Sequence, residues 1–583
     1  MISRKVKSLL CPIVAVVVAF SLVACGGSKT ADGKTDGTAA QNSTTKAADQ
    51  TNAPKEVVKL QVLGLTTSSS GDFTGWAADY LREKVGIELE LLPCGDQGEQ
   101  KLQVYMASGE LPDIVGFKSY KQVQDAAAAN LLVNLDEHMD KLPNAAKNAA
   151  TALQFVRDQA SNGTGKAFTI PSAIGPSNQY VDPNYGIYLR WDLYKKLGMP
   201  EIKTVEDYLP ILKKMVELEP KNADGQKVYG MSLWKDWDST DMFLGTQTSP
   251  LYGISDHDLL GGYPFAEYNF VTNELKSILD NDSQYVRTLK LYNEAYKMGL
   301  MDPDSLTQTF DAARAKFDAG RVLFAQNSWI GSGYSIRTHT DADSPTGFAA
   351  VFPADFKGLI SGDNPIGNSW CNSIGAATKH LDACLSFIDA LYNIDHLMEL
   401  YDGPKGVMWD LDSNNVPYVT DQGWDIYDNN KELPAGGKSW YDLMNMFGLN
   451  ISVVNPAFNY PISVQTWPKT EAKKSTKLMD DWTATVGSKN AISLMKDKNT
   501  YTEIPLWVSL IPPMDSSLQS EVSQIGDIVK INSWAMVFEK DPAKFDKNLK
   551  DMQDKAKTIG IDKIFDYTKK SIKTAQDLAS KYK

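Results

Sequence analysis

The stretch from residue 57 to 117 decides the fold: VVKLQVLGL at 57–65, WAADYLREKVG at 76–86, IELEL at 87–91, QKLQVYMAS at 100–108 and GELPDIVGF at 109–117. Val57–Leu65 is a β-rich apolar run. Trp76, Ala77, Tyr80, Leu81 and Val85 recur at helical spacing, with Gly86 as the stop. Ile87, Leu89 and Leu91 alternate with Glu88 and Glu90, which predicts a second strand. Gln100–Ser108 reads as a helix stopped by Gly109, and Ile114–Phe117 as a third strand. Strands alternating with helices predict a parallel sheet covered by helices on its faces. In such sheets ligands sit beyond the carboxyl ends of the strands. The loops there are Thr66–Trp76 and Phe117–Tyr120, both polar with an aromatic. That pairing suits a sugar, whose hydroxyls need hydrogen bonds and whose ring face needs a flat partner.

The pattern continues downstream. Thr204 and Asp207 stand at capping-box spacing, and Tyr208, Leu209, Leu212, Met215 and Val216 line one helix face. Val286, Leu289, Tyr292 and Tyr296 line another before Gly299. Ala312–Ala319 reads as a helix, Arg321–Ala325 and Asn372–Thr378 as strands, and Asp382–Tyr392 as a helix. Asp402–Pro468 is rich in Trp, Tyr, Asn and Gly with weak periodicity. Helices near Pro542–Thr558 and Lys563–Ser580 close the chain.

Composition narrows the function classes. The 583 residues are 43% hydrophobic and 22% charged, as in ordinary soluble globular chains. With 59 Lys plus Arg against 72 Asp plus Glu the net charge is −13, which argues against nucleic acid as a partner. Arg4, Lys5 and Lys7 precede an apolar run from Leu9 to Ala24, short for a membrane span and of signal-peptide length. It ends in Leu22-Val23-Ala24-Cys25-Gly26, which resembles a bacterial lipoprotein box and implies cleavage of residues 1–24 and lipidation of Cys25. Residues 25–55 lack large apolar side chains and read as a flexible tether. A globular body on a lipid and a leash implies the outer face of a Gram-positive cell membrane. Cys94, Cys371 and Cys384 remain in the body, an odd number, and are expected as buried free thiols.

A series of segments resembles the bacterial extracellular solute-binding proteins of family 1, in their large Gram-positive lipoprotein branch. Gly109-Glu110-Leu111-Pro112-Asp113-Ile114 resembles the family's turn into a strand. Asn130–Leu135, Gly165–Pro171, Tyr188–Gly198, Gly299–Pro303, Phe317–Ala325 and Gly560–Lys563 resemble others, in family order. The resemblance implies an α/β, two-lobed periplasmic-binding-protein-like fold of the type II class, with parallel-core sheets and a hinge. It implies a monomer that binds a carbohydrate and hands it to an ABC permease. The first lobe is expected at 57–175 plus about 360–400, and the second at 176–359 plus about 401–530. Residues 531–583 are expected as helices packing on the lobes. Many relatives carry a calcium loop after the Thr204 helix; here Pro220–Lys227 offers too few oxygens, with Lys221 and Lys227 repelling a cation, so no metal is expected. No cofactor is expected either.

Position within this framework selects the ligand residues. Ser69, Asp72 and Trp76 follow the first strand, and Phe117, Lys118 and Ser119 follow the third. By resemblance Tyr188 and Arg190 open the second lobe near the cleft. Trp234 and Trp237 follow an expected strand at Tyr229–Leu233, and Asn327 and Trp329 follow Arg321–Ala325. Asn368 and Trp370 precede the strand returning to the first lobe.

Enzyme signatures are missing. The five histidines (138, 257, 339, 380 and 396) form no zinc motif, and there is no nucleophile elbow. Gly436-Gly437-Lys438-Ser439 imitates the end of a phosphate loop, but Glu432 stands where glycine is needed. The alternatives that stay open are an oligopeptide-binding lipoprotein, a surface glycosidase, and a sugar sensor or adhesin.

Overall fold

The computed structural model describes residues 57–65, 70–92, 98–176, 185–255, 259–260, 262–337, 345–428, 446–474, 476–512 and 514–582. The signal segment, Cys25, the tether, Ser69, Cys94 and the 436–439 turn lie outside the described residues.

The stretch 57–117 forms the centre of a six-stranded sheet. Strands β1 (Val58–Gly64), β2 (Gly71–Asp72), β3 (Ile87–Leu91), β4 (Ile114–Phe117) and β5 (Ile170–Pro171) are joined by the later strand Cys371–Ile374. The order is β2, β3, β1, β4, Cys371–Ile374, β5. β1 pairs in parallel with both β3 and β4, as the alternation predicts. Successive side chains of β1 enter different cores: Leu60 and Val62 face one cluster, Leu63 and Leu65 another. Ile114 and Val115 of β4 divide the same way. Burial on both faces is what a helix-covered parallel sheet requires. The segment after β2 is α-helical over Trp76–Tyr80 and widens into a π-helical turn over Leu81–Val85, where the Gly86 N–H donates to the Leu81 carbonyl; Gly86, at φ 83°, ends it.

The second sheet has three described strands: β6 (Tyr185–Arg190), with Phe324–Asn327 on one side and Phe348–Ala350 on the other. Both pairings are antiparallel, unlike the parallel core expected for this lobe. Parallel pairing by second-core residues is a short ladder, Gly358–Ile360 with Tyr501–Glu503, and single bridges, Tyr229 with Val322 and Met231 with Met301, the last two in place of a Tyr229–Leu233 strand. The capping box at Thr204 and Asp207 forms and starts the Tyr208–Leu218 helix.

The chain crosses between the sheets after Ile174 and returns before Cys371. At the crossing, Gly175 and Asn364 exchange backbone hydrogen bonds of 3.2 and 2.9 Å. Of the described residues in 401–467, expected in the second lobe, Met408, Trp409, Ile462 and Trp467 share the first core of Leu60 and Ile114. Leu478–Met495 and Val522–Val537 join the second core, while Trp507 and Leu510 between them join the first. The last helix, Ile561–Ala579, puts Ile561 and Ile564 into the second core and Ile572, Ala575 and Ala579 into the first. Cys371 and Cys384 are free and buried.

Arg190 is not available to a ligand. Its side chain is 2% exposed; Nε donates to Asp192 at 2.9 Å and Nη1 to Glu219 at 3.0 Å. The guanidinium also lies over the Tyr334 ring, 4.8 Å from its centroid. It sits at the end of β6 remote from the crossing, roughly 16 Å from the strand's start at about 3.3 Å per residue. Removing it leaves the carboxylates of Asp192 and Glu219, 11% and 28% exposed, facing each other without their shared cation. Arg190→Ala is therefore expected to destabilise the protein by about 3–5 kcal/mol, while the folded fraction keeps its ligand affinity; chemical denaturation with parallel binding titrations checks both.

Candidate functional site

The first half of the site forms where β4 ends. Phe117 is fully buried and pairs with Cys371, so its ring belongs to the core and cannot be a ligand contact. The two residues after it remain at the surface. The Lys118 carbonyl accepts the Ser369 hydroxyl at 3.2 Å, and its N–H donates to Gln122 Oε1 at 2.9 Å. Ser119 caps the Tyr120–Ala128 helix, its hydroxyl accepting the Gln122 N–H at 3.4 Å. Asn368 Oδ1 accepts from the Ser172 hydroxyl at 2.9 Å and from the Trp370 N–H at 3.0 Å. Tyr120 donates its hydroxyl to the Asn368 carbonyl at 3.0 Å. These bonds lock the 368–370 turn against the end of β4. They leave the Trp370 ring 38% exposed, beside Ser369 and above the crossing. Lys118, Ser119, Asn368 and Trp370 are thus brought together.

Asp72 and Trp76 are not part of that group. Asp72 lies on the edge strand and pairs with Lys59 at 2.7 Å. Trp76 is buried in the first core.

The second half forms at one end of the second sheet. Asn327 closes its strand opposite Tyr185, the first residue of β6 after the crossing. Trp329 comes two residues after Asn327, and the segment bridged at Tyr229 and Met231 delivers Trp234 and Trp237. Trp237 is half-buried. Its ring centroid lies 4.3 Å from Phe310, 5.8 Å from Trp329 and 5.4 Å from Phe243, and the Trp329 plane is nearly parallel at 29°. Trp234 stands behind them, 1% exposed, and packs edge-on against Trp237 at 5.4 Å. Tyr188 and Asn327 are buried as well. Of the expected second-lobe contacts, Trp237 and Trp329 are accessible and together; Tyr188, Arg190, Trp234 and Asn327 are built into the lobe.

Sequence reasoning missed the groups that hold this platform. Asp236 accepts the Phe310 N–H at 2.7 Å. Asp238 accepts the Phe243 N–H at 3.0 Å and the Trp534 indole N–H at 2.6 Å. Burial raises the Asp238 carboxyl to about 6, against the two hydrogen bonds that favour its ionised form. The signal was present in the alternation of acids around Trp237 in Trp234-Lys235-Asp236-Trp237-Asp238. Ser172 and Tyr120 of the first half carried no local signal. Among the described residues no group of three or more His, Cys, Asp and Glu side chains could hold a metal ion. In the Pro220–Lys227 loop the Asn222 amide does the closing: Oδ1 accepts the N–H groups of Asp224 and Gln226, and Nδ2 donates to the Ala319 carbonyl.

The fold is that of the two-lobed solute-binding proteins. Solved structures show it: an HMO-binding ABC-transporter-associated solute-binding protein of Bifidobacterium longum infantis superposes with a TM-score of 0.58 at 17% identity, covering 89% of this chain and 98% of that one. An extracellular solute-binding protein from Bifidobacterium longum subsp. infantis gives 0.57 at 16%, with 89% and 98% covered. The ABC-transporter substrate-binding protein FusA of S. pneumoniae, in complex with kestose, gives 0.54 at 14%, with 90% and 100% covered. No family model and no curated protein matches the sequence.

The two kinds of tryptophan separate experimentally. Trp370→Ala, at a half-exposed ring, is expected to weaken ligand binding at least tenfold with little change in melting temperature. Trp234→Ala is expected to cost about 3–5 kcal/mol of stability and to lower affinity only through unfolding. Calorimetric titration and thermal unfolding of both variants check this.

Proposed function

We propose that this protein is the extracytoplasmic substrate-binding subunit of an ABC importer, and that it captures an oligosaccharide between its lobes. One observation carries the reading. An exposed tryptophan among hydroxyl and amide groups (Trp370 with Ser119 and Asn368) and an aromatic platform (Trp237 with Trp329 and Phe310) stand at the two sheet ends joined by the crossing segments. Axial C–H groups of a pyranose meet the flat faces while its hydroxyls reach the amides and hydroxyls between them. Hinge closure expels water and strengthens each of those bonds. The solved relatives are named as binding proteins, for HMO in one case and with kestose bound in another, and this supports a non-enzymatic glycan role.

Delivery goes to a membrane permease, with the ATPase on a separate chain. Among the described residues no helix is long and apolar enough to cross a membrane. The anchor is a lipid on Cys25, with residues 25–55 as the leash, and the protein acts as a monomer without cofactor or metal.

A thermal-shift screen of residues 56–583 against mono-, di- and oligosaccharides and a peptide pool tests this. A ligand that binds only the native form raises the melting temperature by mass action. Expected is a selective shift with one oligosaccharide series, recovered chemically unchanged, together with loss of its uptake when the gene is deleted. A shift with peptides alone moves the assignment to oligopeptide capture, and breakdown of the sugar moves it to a glycosidase.

A further inference from the structure

The platform is built by carboxylates, and this bears on what it can hold. Asp236 and Asp238 flank Trp237 in the chain, and each fixes one of the rings packed against it: Asp236 holds the Phe310 backbone and Asp238 the Phe243 backbone. Asp241, 2% exposed, follows three residues on. Between Trp234 and Asp241 the single cation is Lys235, against these three acids. The other cation expected at this lobe, Arg190, is neutralised by Asp192 and Glu219 at the remote end of β6. Lys118 belongs to the opposite half of the site.

We propose that the sugar unit seated on Trp237, Phe310 and Trp329 is uncharged, and that Asp236 and Asp238 exclude uronic, sialic and sulfated units from that position. The inference rests on the glycan-binding role proposed above and names the substrate class. The physics has two parts. An aromatic face is the negative side of the ring quadrupole, so it attracts the electropositive C–H face of a neutral sugar and not a carboxylate. Each acid near the platform adds repulsion. A ligand anion about 7 Å from one of them, at an effective dielectric between that of protein and water, loses roughly fivefold in affinity.

The test pairs neutral glycans with their acidic counterparts by calorimetric titration at pH 7.5: lactose with sialyllactose, and neutral hexose trisaccharides with trigalacturonate. Expected is at least tenfold weaker binding of the acidic member in any pair whose neutral member binds. The Asp236→Asn/Asp238→Asn variant should narrow that ratio about fivefold or more. Asp236→Asn alone, an exposed change whose amide oxygen can still accept the Phe310 N–H, should narrow it in the same direction and serves if the double variant does not fold. Equal or tighter binding of the acidic member, or a ratio unmoved in the variants, overturns the inference and leaves the glycan-binding role standing. Binding of neither member of any pair overturns the glycan-binding role, and the inference with it.

Discussion

Two peptide groups hold the architecture in register. Where the chain passes from the first sheet to the second, Gly175 exchanges both of its backbone hydrogen bonds with Asn364 on the returning segment. The exchange is a single antiparallel bridge between the outgoing and the returning segment. Gly175 is obligatory there. Its φ is 149°, and a Cβ would stand 2.6 Å from Val453 Cγ2. The outgoing segment comes from β5, beside which Ser172 anchors Asn368. The returning segment leads through Trp370 into Cys371, opposite Phe117. The polar half of the site is therefore the crossing's own attachment to the first sheet. The aromatic half lies where β6 enters the second.

The placement matters for closure. Bending there must respect close packing, since Val453 and Asn450 crowd Gly175 and Ile174 is bonded to Gly448 and Asn450. Nor are the lobes independent. The last helix contributes apolar residues to both cores, and beyond its end the Tyr582 hydroxyl donates to Asp158 in the first lobe at 2.8 Å. A change in the angle between the lobes has to work against that shared helix.

Much of the fold was legible because its signals are local. The apolar run of β1, the period-two alternation in β3, the capping box at Thr204 and the glycine stop at Gly86 each depend on a few neighbours in the chain. What was not legible depends on distant pairing. The antiparallel second sheet joins strands that begin at residues 185, 324 and 348, and nothing in any one of them states its partner. Trp409 and Trp467 pack with the first lobe because a long excursion brings them back to it. The helix Gln519–Val537 escaped notice because its buried face includes Gly526 and Ser533 while Ile531 is 69% exposed, which blurs the apolar stripe. Tryptophans were the hardest case. Trp234, Trp237, Trp329 and Trp370 look alike in sequence, and burial alone divides a pillar from a contact surface.

Arg190 shows how a family resemblance can place a segment correctly and misassign a side chain. The segment Tyr188–Gly198 does lie in the second core, as the resemblance implies, and there a helix begins at Trp191. But a strand of six residues has two ends, and only its first faces the crossing. A guanidinium at the far end, itself buried and held by two carboxylates, is already satisfied by those partners, and leaving them would set the two carboxylates against each other. Its withdrawal also changes the character of the second lobe's exposed end. With that cation spent inside, the acids beside Trp237 are Asp236 and Asp238, which hold the Phe310 and Phe243 backbones, and under the proposal above their charges set the sign of the field at the platform.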